Sequence, residues 1–242
     1  MSTTKIFSLG FRCSSAAILK QMNLKTESYP FDWLVSDLSV IQHCIENKFE
    51  EFLNKANYER KYTNTYEMAD SNQIFICDEH LMVNKFYQPS NLMNEENTYK
   101  YKLAMNHHNI LEQKDFEYYN RCVERFIHLL ENDSPKIYLH IRHLITNEKY
   151  EEEKDDILKE FIDFDEFMAK NCQSSLKGLF FILVKDKKES NEFRGELLYD
   201  SNITGSKIFI IYVNNQFIDA GETFIEDDKE VTFITETIKN HI

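Results

Sequence analysis

The feature that most constrains the fold is a regular alternation of apolar runs and helical patterns in the C-terminal half. Three apolar runs cover residues 136–141, 178–184 and 207–213, and an amphipathic helical pattern, which can break near Asp163, covers 150–171. Strands that are apolar on both faces and joined by helices form a mostly parallel sheet with both faces covered. The pattern therefore predicts an α/β fold whose central sheet is mostly parallel and flanked by helices.

The N-terminal segment adds one strand and two helices to this prediction. Residues 5–9 form a short apolar run, which is expected to join the same sheet because an isolated strand would leave its backbone groups unpaired. Apolar residues at helical spacing follow at 14–23. A second apolar face predicts a helix that begins after a cap at Ser36 or Asp37 and ends near Asn57.

The middle of the chain predicts a small β-hairpin insertion. Its two strands are expected at 73–77 and 81–86, around the polar residues 78–80. The other predicted segments are a polar loop at 88–98, a strand at 99–105, a helix at 114–130, a polar surface excursion at 185–206 and a closing helix at about 227–242, which Asp227 or Asp228 caps.

The expected organisation is a single α/β domain over residues 1–242. A motif-bearing half covers about 5–145, and a regular βαβ half covers about 136–242. Glycine and proline are scarce, at 5 and 3 residues, which argues against β-sandwiches and glycine-rich phosphate loops. No linker rich in Pro, Gly or Ser divides the sequence, so one domain is the expectation for this length.

The charge balance limits the classes of partner. The chain has 41 acidic and 28 basic residues, a net charge of −13, and such a surface repels phosphate backbones and anionic lipid. Nucleic acid is therefore not an expected partner. No apolar run reaches the ~18 residues that cross a bilayer, and the first residues do not resemble a signal peptide. We expect a cytoplasmic protein without a membrane span, in the host cytoplasm if it is viral.

The five cysteines are too widely spaced for a metal knuckle or a redox pair, which indicates reduced thiols and predicts no metal site. No motif indicates a cofactor, and none is expected. Cys13 differs from the other four because it follows the short turn after the first strand.

The turn Gly10-Phe11-Arg12-Cys13 is the first candidate site. Ligands of a parallel sheet bind beyond the carboxyl ends of its strands, where this turn is expected. Unpaired N–H groups and the helix dipole stabilise a thiolate at the start of a helix, so Cys13 is a candidate nucleophile. Arg12 can bind an anionic substrate group, and Gly10 permits the tight turn. The alternative is that Cys13 is a small packing residue.

A rigid aromatic loop at 28–33 follows the first helix and contains Asp32 and Trp33. Both are candidate substrate-binding residues. Asp32 can instead accept hydrogen bonds from N–H groups of its own loop, which is the commoner role of an aspartate in such a loop.

Two adjacent histidines, His107 and His108, are the candidate general bases. Histidine titrates near neutral pH, and a cysteine hydrolase is expected to pair its nucleophile with a histidine distant in sequence. Adjacent residues of a strand point to opposite sides, so at most one of the two faces the site. The alternative is a surface pair in an Asn-rich turn.

His140 and Arg142 stand at the end of another predicted strand, again at a carboxyl edge. They are candidate substrate-binding residues, because Arg142 can hold a phosphate or carboxylate at the same crevice. The alternative is that they are ordinary polar residues at a strand end.

Two motifs resemble the opening signature of a known family. These motifs are Ser-Leu-Gly-Phe-Arg-Cys at 8–13 and Ser-Tyr-Pro-Phe-Asp-Trp at 28–33, and weaker matches are Asn106-His107-His108, Arg121 and Arg125. The family is that of putative papain-like cysteine peptidases, a domain of unknown function found in bacteria and large DNA viruses, and the resemblance covers about residues 5–145.

The resemblance implies that Cys13 is the nucleophile and that His107 or His108 is the base. Where the family pattern tends towards His-Asp, this chain has His-His, so a third catalytic member is not identified. A papain-like core would place the Cys helix against an antiparallel sheet, whereas the C-terminal half here predicts parallel strands. That arrangement is nearer to nucleotide-binding or esterase-like α/β folds.

Three functions are compatible with these observations. The first is a cysteine-dependent hydrolase or acyl transferase with a Cys–His pair, acting on a peptide, acyl or glycan substrate. The second is a sugar- or nucleotide-dependent, glycosyltransferase-like enzyme that binds its ligand at the strand carboxyl ends without a covalent intermediate. The third is a non-catalytic interaction domain.

Overall fold

The computed structural model describes residues 3–68, 74–87, 99–105, 107–144, 147–185, 194–213 and 229–242. The strands are β1 (Lys5–Ser8), β2 (Val35–Ser36), β3 (Tyr58–Met68), β4 (Ile74–Asn84), β5 (Tyr99–Tyr101), β6 (Leu103–Met105), β7 (Lys136–Leu144), β8 (Leu176–Lys185), β9 (Arg194–Asp200) and β10 (Lys207–Val213). The helices are α1 (Ser14–Gln21), α2 (Leu38–Glu46), α3 (Glu50–Leu53), α4 (Gln113–Glu131), α5 (Asn147–Lys170) and α6 (Lys229–Lys239).

The central sheet has the strand order β1-β7-β8-β10-β9. The first four of these strands are parallel to one another, and β9 runs antiparallel to β10 at the edge. The strand β1 pairs with β7, as expected of an apolar run that must satisfy its backbone. The predicted mostly parallel α/β sheet is therefore confirmed.

Helices cover both faces of the central sheet, as the two-sided apolar strands predict. Along β7, Tyr138 and His140 point towards the face that carries α4 and α5. Ile137 and Leu139 point to the opposite face, where they pack with residues of α1 and α6. The alternation follows from the two-residue period of a strand.

A second five-stranded sheet has the order β2-β6-β4-β3-β5. It contains the small antiparallel insertion that the sequence predicts, but the hairpin is formed differently. Residues 73–77 and 81–86 were expected to be its two strands, whereas 74–84 form the single strand β4, which pairs with β3. The polar residues His80 and Glu79 stay extended because their backbone pairs with Tyr62 and Thr63.

The helix predicted between Ser36 or Asp37 and Asn57 is interrupted. Asp37 caps α2 by accepting a hydrogen bond from Val40 N at 2.8 Å, but α2 ends at Glu46. Lys48 and Phe49 then adopt left-handed φ angles of 53° and 64°. This conformation costs about 1–3 kcal/mol per residue, and the burial of the Phe49 ring among other aromatic rings offsets it.

Other expectations differ in detail. The excursion expected at 185–206 contains β9, whose side chains are largely exposed and therefore carry no apolar pattern. The strand expected at 99–105 is split into β5 and β6, and α5 continues through Asp163 without a break.

The loop at 88–98 and the caps Asp227 and Asp228 lie outside the described residues. The single-domain organisation stays a prediction. In the part of the chain that the structure describes, no helix has the length and apolar character to cross a membrane.

A buried aspartate links α5 to the sheet. Asp165 accepts hydrogen bonds from Tyr138 Oη at 2.8 Å, Ser206 Oγ at 2.7 Å and Thr204 Oγ1 at 2.6 Å. Ser206 Oγ also accepts from the backbone N–H of Gly178 at 2.7 Å. Three hydroxyl groups thus donate to one carboxylate, and losing it would leave the buried hydroxyls of Tyr138 and Ser206 without this acceptor.

We predict that Asp165→Ala lowers the free energy of unfolding by about 2 to 4 kcal/mol, because the three hydroxyl donors lose a charged acceptor. The measurement is urea denaturation followed by circular dichroism. Asp163→Ala is the matched control on the same helix, since Asp163 is exposed and forms an ion pair with the exposed Lys159. Equal urea midpoints for the two variants would contradict the assigned role of Asp165.

Candidate functional site

The turn after β1 is closely packed against the segment that follows α1. A Cβ atom at Gly10 would lie 2.4 Å from Arg12 O and 2.9 Å from Phe31 O, so this position requires glycine. Ser36 Oγ donates to Gly10 O at 2.5 Å, and Ser36 N donates to Phe11 O at 3.3 Å. The turn that carries Arg12 therefore has a defined conformation at the carboxyl end of β1.

Cys13 is the N-cap residue of α1. Its thiol is free and partly exposed, and its side chain makes no capping hydrogen bond. Ala17 N donates to Cys13 O at 2.8 Å, so the backbone of Cys13 already belongs to the first helical turn. Among the described residues, no imidazole nitrogen forms a hydrogen bond with the Cys13 sulfur.

The two candidate bases have different surroundings after β6. His107 is exposed. His108 is half-buried, its Nδ1 lies 3.3 Å from Asp115 Oδ1, and its ring stacks on Tyr118 with centroids 4.7 Å apart. The other oxygen of Asp115 accepts from Asn109 N at 2.7 Å. Asp115 is thus a carboxylate that orients a candidate base, a role that no local sequence pattern indicates.

Local sequence patterns did not indicate that Asp115 contacts His108. It is an acidic residue in the first turn of α4, where helix-dipole stabilisation already explains an acid. Its second role follows only from the way the chain between β6 and α4 folds back, which brings Asp115 to His108.

His140 is almost completely buried beneath the turn. Its Nδ1–H donates to Leu9 O at 2.6 Å, and its ring packs edge-on against Phe11 and Phe161. Burial lowers the pKa of His140 to about 3; the hydrogen bond to Leu9 opposes this shift and the charge of Arg142 adds to it. The observed contacts of His140 are those of a neutral side chain that joins β7 to the end of β1.

Arg142 is also buried, on the same side of β7. Its Nη1 forms an ion pair with Glu160 of α5, and its guanidinium lies 5.8 Å from the centroid of the Phe161 ring. The turn and Arg142 therefore lie at the same carboxyl edge of the sheet, as the sequence predicts for a crevice there.

Asp32 is buried and bonded on several sides. It accepts hydrogen bonds from Ser8 Oγ and Lys25 Nζ, and from Tyr29 N at 2.7 Å. Burial raises the pKa of Asp32, and the neighbouring Lys25 is the largest opposing influence. The carboxylate thus connects β1, Lys25 after α1, and the aromatic loop.

Trp33 lines a cleft of about 730 Å³ together with Lys20, Lys25, Glu27, Ser28 and Arg125. The cleft lies beside the β1 edge of the central sheet, where the 25–33 segment connects the α1 face to the α4 face. We call it the Trp33 cleft. Local sequence patterns give no role to the two lysines, because residues from α1, a loop and α4 converge only in space.

The described residues contain no group of three or more His, Cys, Asp or Glu side chains that could hold a metal ion.

Comparison with known proteins identifies the family. The family model described as putative papain-like cysteine peptidase matches residues 4–185, about three quarters of the chain. The chain belongs to this family. The resemblance of the two N-terminal motifs is therefore confirmed. The match to the family ends with β8, so it includes every candidate residue above, while β9, β10 and α6 lie beyond it.

One viral relative shares a shorter region. An uncharacterized protein of Acanthamoeba polyphaga mimivirus is 46% identical over 54 residues, which are 22% of this chain and 24% of the relative. The match thus spans about a quarter of the relative's length. No solved structure matches the chain.

The low pKa of His140 predicts a pH dependence of stability. The unfolded chain binds a proton at His140 near pH 6.5, whereas the folded chain does so only near pH 3. Stability is therefore fully present above pH 6.5 and is lost as pH falls through this window, by up to about 1.4 kcal/mol per pH unit. The urea midpoint, measured at pH 7.5, 6 and 5, should fall less steeply with decreasing pH in His140→Asn than in the unmodified protein, because asparagine does not titrate. Identical slopes in both proteins would contradict this assignment.

Proposed function

We propose that this protein is a cysteine-dependent hydrolase or acyl transferase whose nucleophile is Cys13. The observation that carries the proposal is a free, partly exposed thiol at the N-cap of α1, in the turn that follows the carboxyl end of the parallel strand β1. Ligands of parallel sheets bind beyond these strand ends. Membership of a family described as putative papain-like cysteine peptidase supports the same chemistry.

The first turn of α1 would supply the oxyanion site. The first N–H groups of a helix have no partner within the helix and lie at the positive end of its dipole. In the proposed reaction, the Cys13 thiolate attacks the carbonyl carbon of an amide or ester, and negative charge develops on the carbonyl oxygen beside these N–H groups. The intermediate expels the amine or alcohol and leaves a thioester on Cys13. Water or another acyl acceptor then cleaves that thioester and restores the thiol.

His108 is the general base that the geometry supports better. Its Nδ1 faces Asp115, which leaves Nε2 to take the thiol proton and return it to the leaving group. Catalytic hydrogen bonds in unliganded enzymes are often long and shorten when the substrate binds. His107 is the alternative base, and its exposed position provides no orienting partner among the described residues.

The remaining candidates would bind or position the substrate. In this proposal Arg12 and Trp33 contact the substrate, Gly10 allows its close approach to the turn, and Arg142 attracts an anionic group. His140 and Asp32 act through their neighbours, since both are buried and hydrogen-bonded to the chain around β1. The proposed substrate is a peptide, acyl or glycan compound with an amide or ester bond.

The test is alkylation by iodoacetamide, followed residue by residue with mass spectrometry between pH 5.5 and 9. We expect Cys13 to react at least about tenfold faster at pH 7 than Cys172, because a helix N-terminus stabilises its thiolate. Cys172 is the internal control, since it is also a free and partly exposed thiol. Equal rates at the two cysteines would remove the main support for a nucleophile.

Two variants distinguish, in the same experiment, activation of Cys13 by a histidine base from activation by the helix N-terminus. His108→Gln should slow the alkylation of Cys13 at neutral pH and leave that of Cys172 unchanged. Asp115→Asn should have a smaller effect in the same direction, because it removes the group that orients the ring. If His107→Gln alone slows the reaction, His107 is the base and the assignment to His108 is wrong.

The second candidate function is a sugar- or nucleotide-dependent transferase without a covalent intermediate. The specific observation in its favour is the run of four parallel strands with Gly10, Arg12 and Arg142 at the carboxyl edge. It predicts that nucleotide sugars raise the melting temperature, that Cys13→Ala responds equally, and that Arg12→Gln does not respond. No shift across a broad panel, with and without divalent metal, would contradict it.

A further inference from the structure

The Trp33 cleft combines positive charge with a flat aromatic wall on a protein that is otherwise acidic. The chain has a net charge of −13, yet Lys20, Lys25 and Arg125 line this cleft with Glu27 as the acidic lining residue. Asp32 lies behind the lining and is buried. A local excess of cations on an acidic protein attracts anionic ligands to that place.

Lys25 is held in position by its surroundings. Its ammonium group donates to Glu27 O at 2.6 Å and to the buried Asp32, and its side chain is only 10% exposed. Glu27 is itself engaged, because its carboxylate accepts a hydrogen bond from Tyr29 Oη at 3.2 Å. The wall formed by the 25–29 segment is therefore built from side chains that hold one another, and Lys25 supports this wall more than it supplies unpaired charge.

Arg125 has few polar partners among the described residues. Its Nη2 donates to Cys122 Sγ at 3.2 Å, and sulfur is a weak acceptor. Its Nε is buried and has no hydrogen-bond partner in the described structure. Within the described residues no carboxylate forms an ion pair with Arg125, although guanidinium groups bind planar anions and phosphate well.

Trp33 provides the wall that can bind a ring. Its indole is half-buried, and Lys20 Nζ lies 6.0 Å from the centroid of its ring system. Indole faces bind the flat faces of aromatic rings and sugars, and a neighbouring cation attracts an anionic substituent of such a ring. The volume of about 730 Å³ suits a ligand of nucleotide or sugar phosphate size.

We propose that the Trp33 cleft binds a small ring compound that carries a phosphate group. The phosphate binds Arg125 and Lys20, and the ring lies against Trp33. This inference goes beyond the proposed function, because it requires no chemistry at Cys13. Cys13 precedes Lys20 by seven residues of chain, about 10 Å along α1, and does not line the cleft.

Trp33 is the only tryptophan of the chain, so intrinsic fluorescence reports directly on this cleft. The protein is titrated with uridine 5′-monophosphate, glucose 1-phosphate, inorganic phosphate, uridine and glucose, and calorimetry repeats each titration. We expect at least one ring phosphate to bind and to change the fluorescence, inorganic phosphate to bind about tenfold or more weakly, and the neutral rings not to bind. The two ring phosphates distinguish a base from a sugar as the preferred ring.

Variants of two arginines on α4 test the site. Arg125→Gln should weaken binding by about tenfold or more, since a charge-assisted hydrogen bond is lost, and Arg125→Lys should retain part of the affinity. Arg121→Gln removes the same charge from an exposed position one turn earlier that does not line the cleft, and it should change affinity less than about twofold. Circular dichroism confirms that each variant is folded.

Three outcomes would overturn the inference: no binding of either ring phosphate by calorimetry, equal weakening by Arg121→Gln and Arg125→Gln, or binding of the neutral rings as tight as that of the phosphates. Cys13→Ala separates this inference from the proposed function. Binding that persists in Cys13→Ala and fails in Arg125→Gln supports the cleft whatever the reactivity of Cys13. Loss of binding in Cys13→Ala, with Arg125→Gln unaffected, would assign the ligand to the turn instead.

Discussion

The parallel pairing of β1 with β7 is the interaction on which both candidate regions depend. The strands pair from Lys5 opposite Lys136 to Ser8 opposite Leu139. The side-chain bond from His140 to the carbonyl of Leu9 extends this link across 131 residues of sequence. Burial, which lowers the pKa of His140, keeps the imidazole that makes this bond neutral. Without this pairing the turn that carries Cys13 would have no sheet edge to lie on, and α1 would have no apolar face to cover.

A cluster of aromatic rings holds the aromatic loop in place beside the edge strand β1. Phe126 of α4 packs edge-on against Phe7, Tyr29, Phe31 and Phe49, with ring centroids 5.8 to 6.2 Å apart. These contacts hold the aromatic loop between β1 and α4. Because Phe126 is buried in the cluster, its neighbours on α4 face other directions, and the adjacent side chain lines the Trp33 cleft. The same packing also explains why the chain accepts a left-handed conformation at Phe49.

Local patterns predicted those strands and helices whose own residues show a clear apolar pattern. The runs that became β1, β7, β8 and β10 are rich in apolar residues, and α4 repeats its apolar residues every three or four positions. Prediction failed where a segment is extended because it pairs with a neighbouring strand. The strand β9 has mostly exposed side chains and is extended because it pairs with β10, and β4 continues through polar residues because β3 pairs with them.

The same distinction applies to the candidate site. The sequence by itself determined the mostly parallel α/β architecture, the glycine turn with Cys13 at a helix start, and the family, because each rests on contiguous residues. Only the tertiary structure decided that Asp115 orients His108, that Asp32 and His140 are buried in hydrogen bonds around β1, and that Arg125 meets Trp33 across a cleft. The physical reason is that these contacts join side chains from separate elements. Their geometry depends on how the two sheets and the helices pack, and no local spacing in the sequence encodes it.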